Sequence, residues 1–287
     1  MQKQKKIIAA AILLLGVAAC MLFFLRGGTP SSVKEPLAPL QVTLFKIGKA
    51  DAIVVQNGDK TAIIDAGEEE DGEEVVTFLK DQGISYVDTL IITHFDKDHV
   101  GGAGTLIKEL EIGQVLIPNY EGSNTEYSDF LSAMKQKEIT PQALTESVEF
   151  TLGEANVLVE PPLSYEIPEG EAEYDNNFSL ITTITHGENR LLFAGDIEKQ
   201  RIREWLAEGN AVKCNFLKVP HHGVYNKALP ELMDAVAPKY AVICDSDKNQ
   251  AEAKTLELLR QVNAQVLETR NGDVTVISDG LGLEVSQ

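Results

Sequence analysis

The stretch ITHFDKDHVGG, residues 92–102, places His94, Asp96, Asp98 and His99 within six positions, after the apolar run VDTLII and before two glycines. An apolar run of this kind reads as a strand buried on both faces, so the four side chains leave a strand end and enter one loop. Imidazole and carboxylate together suit Zn, Mn or Fe, and a mixed nitrogen and oxygen set does not separate these ions. A solvated polar loop has no need of so many ligand-type side chains, and the stretch reads as one half of a metal site. Gly101 and Gly102 are expected to let the backbone turn tightly as a helix begins.

The same architecture recurs downstream and upstream. FLKVPHHG (216–223) runs from strand to His221, His222 and Gly223; RLLFAGDIE (190–198) ends its strand on Asp196; TAIIDAG (61–67) ends on Asp65. Of the five histidines, four follow an apolar strand directly. In sheet-based α/β folds the loops beyond the carboxyl ends of strands line ligand crevices, so these strand ends are expected to meet in one place. The fifth, His186, sits in THGEN (185–189) between two strand candidates and reads as a solvated turn residue.

Between these motifs the pattern alternates short β-type runs with amphipathic helical runs. Strands are expected at 41–47, within the run 52–67, and at 87–93, 114–118, 147–151, 155–159, 178–185, 190–195, 213–219, 239–244, 265–268, 273–277 and 282–285. Helices are expected at 73–82, 125–137, 198–207, 228–236 and 252–262. Asn57-Gly58 marks a hairpin. Hairpins mixed with βα alternation point to two mixed sheets packed face to face with helices outside. Residues 160–175, rich in Pro and Glu, read as an exposed loop.

The amino terminus stands apart. Residues 7–25 are 19 consecutive uncharged, mostly apolar residues behind Lys3, Lys5 and Lys6, enough for a helix to cross a bilayer. The lysines favour the cytoplasm, which puts the remainder of the chain outside. An alternative is a lipoprotein signal ending at Cys20, although Met21 to Leu25 stay apolar where a polar tether would follow. The expected organisation is a signal anchor over 1–29, a Pro/Ser-rich linker over 30–40 and a catalytic domain over 41–287.

The whole chain carries a formal net charge of −19. Removing residues 1–29 takes away three Lys and one Arg but no acid, leaving about −23. No basic footprint of a tight, nonspecific DNA binder is present; an anionic substrate would have to be held locally, by metal. Cys214 and Cys244, the cysteines beyond the apolar segment, both lie in strand-like runs and read as buried thiols or, outside the cell, a disulfide.

Taken in order, IGKAD (47–51), DAG (65–67), HFDKDH (94–99), NNFSL (176–180), GD (195–196) and HHG (221–223) resemble the motifs of metallo-β-lactamase fold hydrolases. The likeness is greatest to the subgroup that includes the nuclease-like domain of DNA-uptake competence proteins and the bacterial phosphorylcholine esterases. That resemblance implies an αββα sandwich and one or two divalent ions, Zn or Mn. It implies one ion held by Asp98, His99, Asp196 and His222, and a second by His94, Asp96 and a bridging Asp196. Asp65 would orient a ligand histidine. Asp98 and His221 would serve catalysis, His221 by contacting a phosphate or protonating a leaving oxygen, while the ligand of the pair could be either His221 or His222. Asp51 and Asn177 would line the site, and Glu198 would either contact a cationic substrate group or begin the helix, where the dipole favours an acid.

The chain departs from the family at four places. Asp96 stands where the signature has a second His, and the strand region after residue 150 lacks the further ligand His of the family, so that the second ion is either weakly held or completed by Asn177, Asp175 or water. Lys49 and Ala50 replace the usual Gln and Gly, and Val224 the usual Ser. An oxygen-rich ligand set favours hard, Mn-tolerant phosphate chemistry, so the expected substrates are a small phosphodiester or other ester, or a single-stranded nucleic acid end. A module that has kept the fold and lost turnover is the contrasting expectation.

Overall fold

The structure, a computed structural model, describes residues 35–167, 174–209 and 213–287. The apolar stretch 7–25, with Cys20, lies outside the described residues. Among the described residues no helix is long and apolar enough to cross a membrane.

Fifteen strands form two sheets among these residues. The first runs in the order β15 (Leu283–Ser286), β14 (Val274–Ser278), β1 (Leu40–Leu44), β2 (Ala52–Asn57), β3 (Lys60–Ala66), β4 (Tyr86–Ile91), β5 (Glu111–Pro118) and β6 (Gln142–Leu144). The second runs β13 (Gln265–Glu268), β12 (Tyr240–Ile243), β11 (Phe216–Lys218), β10 (Asn189–Phe193), β9 (Ile181–His186), β8 (Ala155–Glu160) and β7 (Val148–Leu152). Both are mixed: β2 pairs antiparallel with β3 and β3 parallel with β4, while β9 pairs antiparallel with β10 and β10 parallel with β11.

Period-two alternation explains the layering. Ile53 and Val55 of β2 face the space between the sheets while Val54 faces outward; Leu191 and Phe193 of β10 face inward while Leu192 faces outward. The inward residues make the central core. Outside the first sheet pack α1 (Gly72–Asp81), α2 (Lys97–Val100), α3 (Ala103–Glu109) and α4 (Thr125–Gln136); outside the second pack α5 (Lys199–Ala207), α6 (Leu229–Val236) and α7 (Ala253–Gln261). The result is an αββα sandwich.

Two expectations are corrected here, and the cysteines follow the first of their two readings. Gly101 and Gly102 do not use glycine's left-handed freedom, since their φ values are −55° and −75°. They are needed for close approach: a Cβ on Gly102 would collide with the Ala66 carbonyl oxygen, and one on Gly101 would lie 2.7 Å from the Glu68 backbone. The loop at 160–175 is exposed at Leu163 and Ile167, but Glu160, Pro161 and Pro162 are buried. Arg201 of α5 donates to the carbonyls of Glu160 and Pro161 at 3.0 and 2.7 Å, which anchors the start of that loop. Cys214 and Cys244 are buried free thiols, not a disulfide.

Candidate metal centre

Four strand ends open on one rim of the sandwich. β4 delivers His94, Asp96, Asp98 and His99; β3 delivers Asp65; β10 delivers Asp196; the turn after β11 delivers His222. The side chains meet in overlapping groups, His94 with His99 and Asp196, and Asp98 with His99 and His222, with ligand atoms within 4.8 Å of one another. Residues about 120 positions apart in the chain are thus neighbours, because the two sheets face each other.

All three imidazoles are oriented alike. His99 Nδ1 donates to Asp65 Oδ2 at 2.8 Å. His222 Nδ1 donates to the Cys244 carbonyl oxygen at 2.8 Å, an acceptor that requires the proton on Nδ1. His94 Nδ1 lies 3.1 Å from Thr93 Oγ1, whose own hydroxyl donates to Asp65 Oδ2 at 2.7 Å. With its proton so committed, the hydroxyl accepts from His94. Each ring therefore presents Nε2 to the centre, and all three Nε2 atoms are buried without a hydrogen-bond partner. Leaving buried polar atoms unsatisfied costs about 1–3 kcal/mol each, and nitrogen lone pairs aimed at clustered carboxylates are what a divalent cation takes. The donor set fits a metal.

The carboxylates complete the arrangement. Asp196 Oδ2 stands 3.3 Å from His99 Nε2 and 3.1 Å from His222 Nε2; Asp98 Oδ2 stands 3.5 Å from His222 Nε2. Asp96, about half exposed, sits 3.6 Å from His94 Nε2 at the outer edge. Burial alone would raise the pKa of Asp98 and Asp196, but the neighbouring histidines, joined by Lys218 at Asp196, hold both well below the usual carboxylate range. Burial opposes charge on His99 and His222, and the carboxylates, Asp196 foremost, reverse this and lift both above the usual imidazole value.

Of the histidine pair, His222 joins the cluster and His221 does not. Both have left-handed backbones, φ 49° and 51°. The turn sends the buried His222 ring inward, while His221, partly exposed, lies with Nδ1 3.2 Å from Glu198 Oε1. Glu198 immediately precedes α5 but makes no side-chain cap there; its carboxylate faces His221. Asp51 is buried, with its carboxylate paired to Lys218 Nζ and its backbone N–H donating to the Asp98 carbonyl at 3.0 Å.

Two expected residues are placed otherwise. Asn177 is committed elsewhere through its Oδ1, which accepts the Arg201 backbone N–H at 3.0 Å and so caps the start of α5. Asp175 feels the charges of this region. Burial, followed by the charge of Asp96, raises its pKa, and His94 acts in the opposite direction. His186 is not a solvated turn residue. It is the last residue of β9, fully buried, with Nδ1 2.8 Å from Ser278 Oγ. The turn after it packs against Gly280 so closely that a Cβ on Gly187 would collide with the Gly280 carbonyl oxygen.

Three participants were not anticipated from sequence. Thr93 organises His94 and Asp65 through one hydroxyl. Lys49 reaches Asp98 Oδ2 at 3.5 Å. Lys218, in the middle of FLKVP, is fully buried and approaches both Asp51 and Asp196, and burial, which would lower its pKa, is outweighed by these two acids, which raise it.

Comparisons with known proteins agree with this geometry. The chain matches the family described as Metallo-beta-lactamase superfamily over residues 47–244. It is similar to ComE operon protein 3 of Bacillus subtilis, 30% identical over 212 residues covering 71% of this chain and 26% of that protein. It is also similar to Recombination protein 2 of Haemophilus influenzae, at 26% over 71% of this chain and 24% of that one, and to Competence protein ComA of Neisseria gonorrhoeae, at 24% over 88% and 34%. The chain thus spans about a quarter to a third of the length of these relatives. Among solved structures, the metallo-β-lactamase fold protein YhfI of Bacillus subtilis superposes with a TM-score of 0.56 at 11% identity, covering 86% of this chain and 100% of that one. Igni18, a metallo hydrolase of Ignicoccus hospitalis, gives 0.52 at 17%, covering 82% and 98%. By motif order, by sandwich and by the match over most of its length, the chain belongs to the metallo-β-lactamase superfamily.

Proposed function

We propose that this protein is a metal-dependent hydrolase of phosphodiesters, nuclease-like in its chemistry, held at the cell membrane by residues 7–25 and working outside the cytoplasm. The observation that carries the enzymatic part is the common orientation of His94, His99 and His222, each with a committed Nδ1 and an unpartnered buried Nε2.

In this reading Asp98, His99, Asp196 and His222 hold one divalent ion, Zn or Mn, and His94 and Asp96 hold a second beside Asp196. Such ions, when bound, activate water near neutral pH and polarise a P–O bond. The chain's own residues do the rest. Asp65 fixes the His99 ring, and the Cys244 carbonyl fixes the His222 ring. Glu198 engages His221 Nδ1, which leaves the other ring nitrogen at the rim to pass a proton to the leaving oxygen. Lys49, at the mouth beside Asp98, can meet a phosphate oxygen. The strong net negative charge supports a small phosphodiester or a single-stranded end over bound duplex. The membrane anchor is supported by the 19-residue apolar run behind three lysines.

A second reading, a binding or assembly module without turnover, is favoured by one observation: Lys49 already offers Asp98 a positive charge. The two separate in one assay. Purified protein with bis-p-nitrophenyl phosphate and Mn or Zn should turn over, and His99→Ala and Asp98→Ala should reduce the rate at least 100-fold. Equal rates for all three proteins would leave only the binding module.

A further inference from the structure

Lys218 is an unusual resident of its strand. Along β11 and the residue after it, Leu217 and Val219 pack outward beneath the helices and Phe216 faces the space between the sheets. Alternation places Lys218 on the same side as Phe216, and its side chain is fully buried there. Buried lysine is tolerated only when its charge and its three donors are satisfied. Here they are: Nζ pairs with Asp51 Oδ2, reaches Asp196 Oδ1 at 3.3 Å and donates to the Gly195 carbonyl oxygen at 3.2 Å.

The two oxygens of Asp196 are thereby given separate tasks. Oδ1 faces the ammonium, and Oδ2 faces the Nε2 atoms of His99 and His222. Asp51 stands on the loop between β1 and β2 in the first sheet, whereas Asp196 and Lys218 belong to the second. A fixed cation so near a cation site disfavours metal by charge alone, so charge is not a sufficient reason for its presence. Orientation is.

We propose that Lys218 is a positioning residue of the metal centre: by holding Asp196 Oδ1 and Asp51 together it keeps Asp196 Oδ2 aimed at the ion. This rests on the metal centre proposed above. The two explanations of Lys218 predict different outcomes. A residue that acted only through its charge would, on removal alone, tighten metal binding, and on removal together with an acid would leave it unchanged; a positioning residue would weaken it even when the net charge is kept.

The test is isothermal titration of the full chain with Mn and with Zn, alongside circular dichroism and Tm. The paired variant Lys218→Met, Asp51→Asn removes one charge of each sign and leaves the net charge of the centre unchanged; Met suits the apolar surroundings of the stem. We expect Kd to rise 10–100-fold while the fold persists. A second pair, Lys218→Gln with Asp51→Asn, keeps a neutral donor should the first pair unfold, and its Kd should rise at least threefold. Wild-type affinity in a folded pair overturns the positioning role. Absence of metal binding by the wild type overturns the proposed function instead, so the two failures are distinguishable.

Discussion

Asp65 Oδ2 accepts the Nδ1–H of His99 at 2.8 Å from a backbone in the left-handed region, φ 58°. For a residue other than glycine this conformation costs on the order of 1 kcal/mol or more. The same carboxylate takes the backbone N–H and the hydroxyl of Thr93, both at 2.7 Å. Three hydrogen bonds to one anion offset the strain and tie the DAG turn of β3 to the end of β4.

Replacing Asp65 by Asn should therefore act on metal binding through His99. The carboxamide has one acceptor oxygen where three donors converge. We expect metal affinity to fall about 10–100-fold, measured by isothermal titration with Mn and Zn. An unchanged Kd would show that the ring is held by other means.

His221 and His222 should behave differently although they are adjacent. His222→Ala removes a buried ring nitrogen from the cluster, and metal stoichiometry measured after dialysis should drop. His221→Ala should retain metal with Kd within about threefold of the wild type, and lose turnover by about 10²-fold if it carries the proton to the leaving group. Metal analysis and the phosphodiesterase assay read the two effects separately.

Lys49→Gln should strengthen metal binding. The ammonium sits 3.5 Å from Asp98 Oδ2, with about a third of the lysine side chain exposed. A partly solvated pair of this kind is worth on the order of 1 kcal/mol or less, so the gain in affinity should be a few-fold, with a weaker dependence on salt. Looser binding in the variant would contradict competition between the ammonium and the ion.

Asp71 gives the protein a pH dependence away from the centre. Its Oδ2 accepts the Glu68 backbone N–H at 2.7 Å, yet burial pushes its pKa up to about 6. A carboxyl whose pKa is higher in the folded state than in the unfolded chain binds its proton more tightly when folded. Its contribution is most favourable below about pH 4 and declines as pH rises through 6. Asp71→Asn should match the wild type in Tm near pH 4 and exceed it near pH 7 by about 2–4 °C, for roughly 1 kcal/mol after allowing for solvent screening. Differential scanning calorimetry across that range measures the difference; a Tm difference that does not grow with pH would refute it.

The positions legible in the sequence were those with a local signal. Asp65, Asp196 and the residues of HFDKDH each end an apolar strand, and strand ends on one side of a sheet must lie near one another. The layering followed from hairpins mixed with βα alternation. What stayed hidden depended on partners far along the chain. Lys218 looks like any charged residue beside a strand end until Asp51, 167 residues earlier, is seen against it. The one available signal was a lysine between apolar neighbours directly before the HHG turn. His186 follows the turn rule for an exposed residue, but Ser278 of the first sheet meets its ring and Gly280 packs on the neighbouring Gly187. Asn177 carries the motif of the resemblance, yet its acceptor is used by Arg201 of α5. The strand β6, three residues long at a sheet edge, has too little pattern to be read.

The ligand side chains hang from opposite leaves of the sandwich: His94, Asp98 and His99 from one, Asp196 and His222 from the other. An ion gripping them all is a rivet through both leaves. Whatever fills the centre must then resist separation of the leaves, and the melting temperature becomes a gauge of occupancy. A cation at 100 times its Kd should add about 2.7 kcal/mol. A simple thermal series across Mn, Zn, Mg and Ca, with a chelator as the opposite extreme, would rank the ions for this protein before any substrate is in hand.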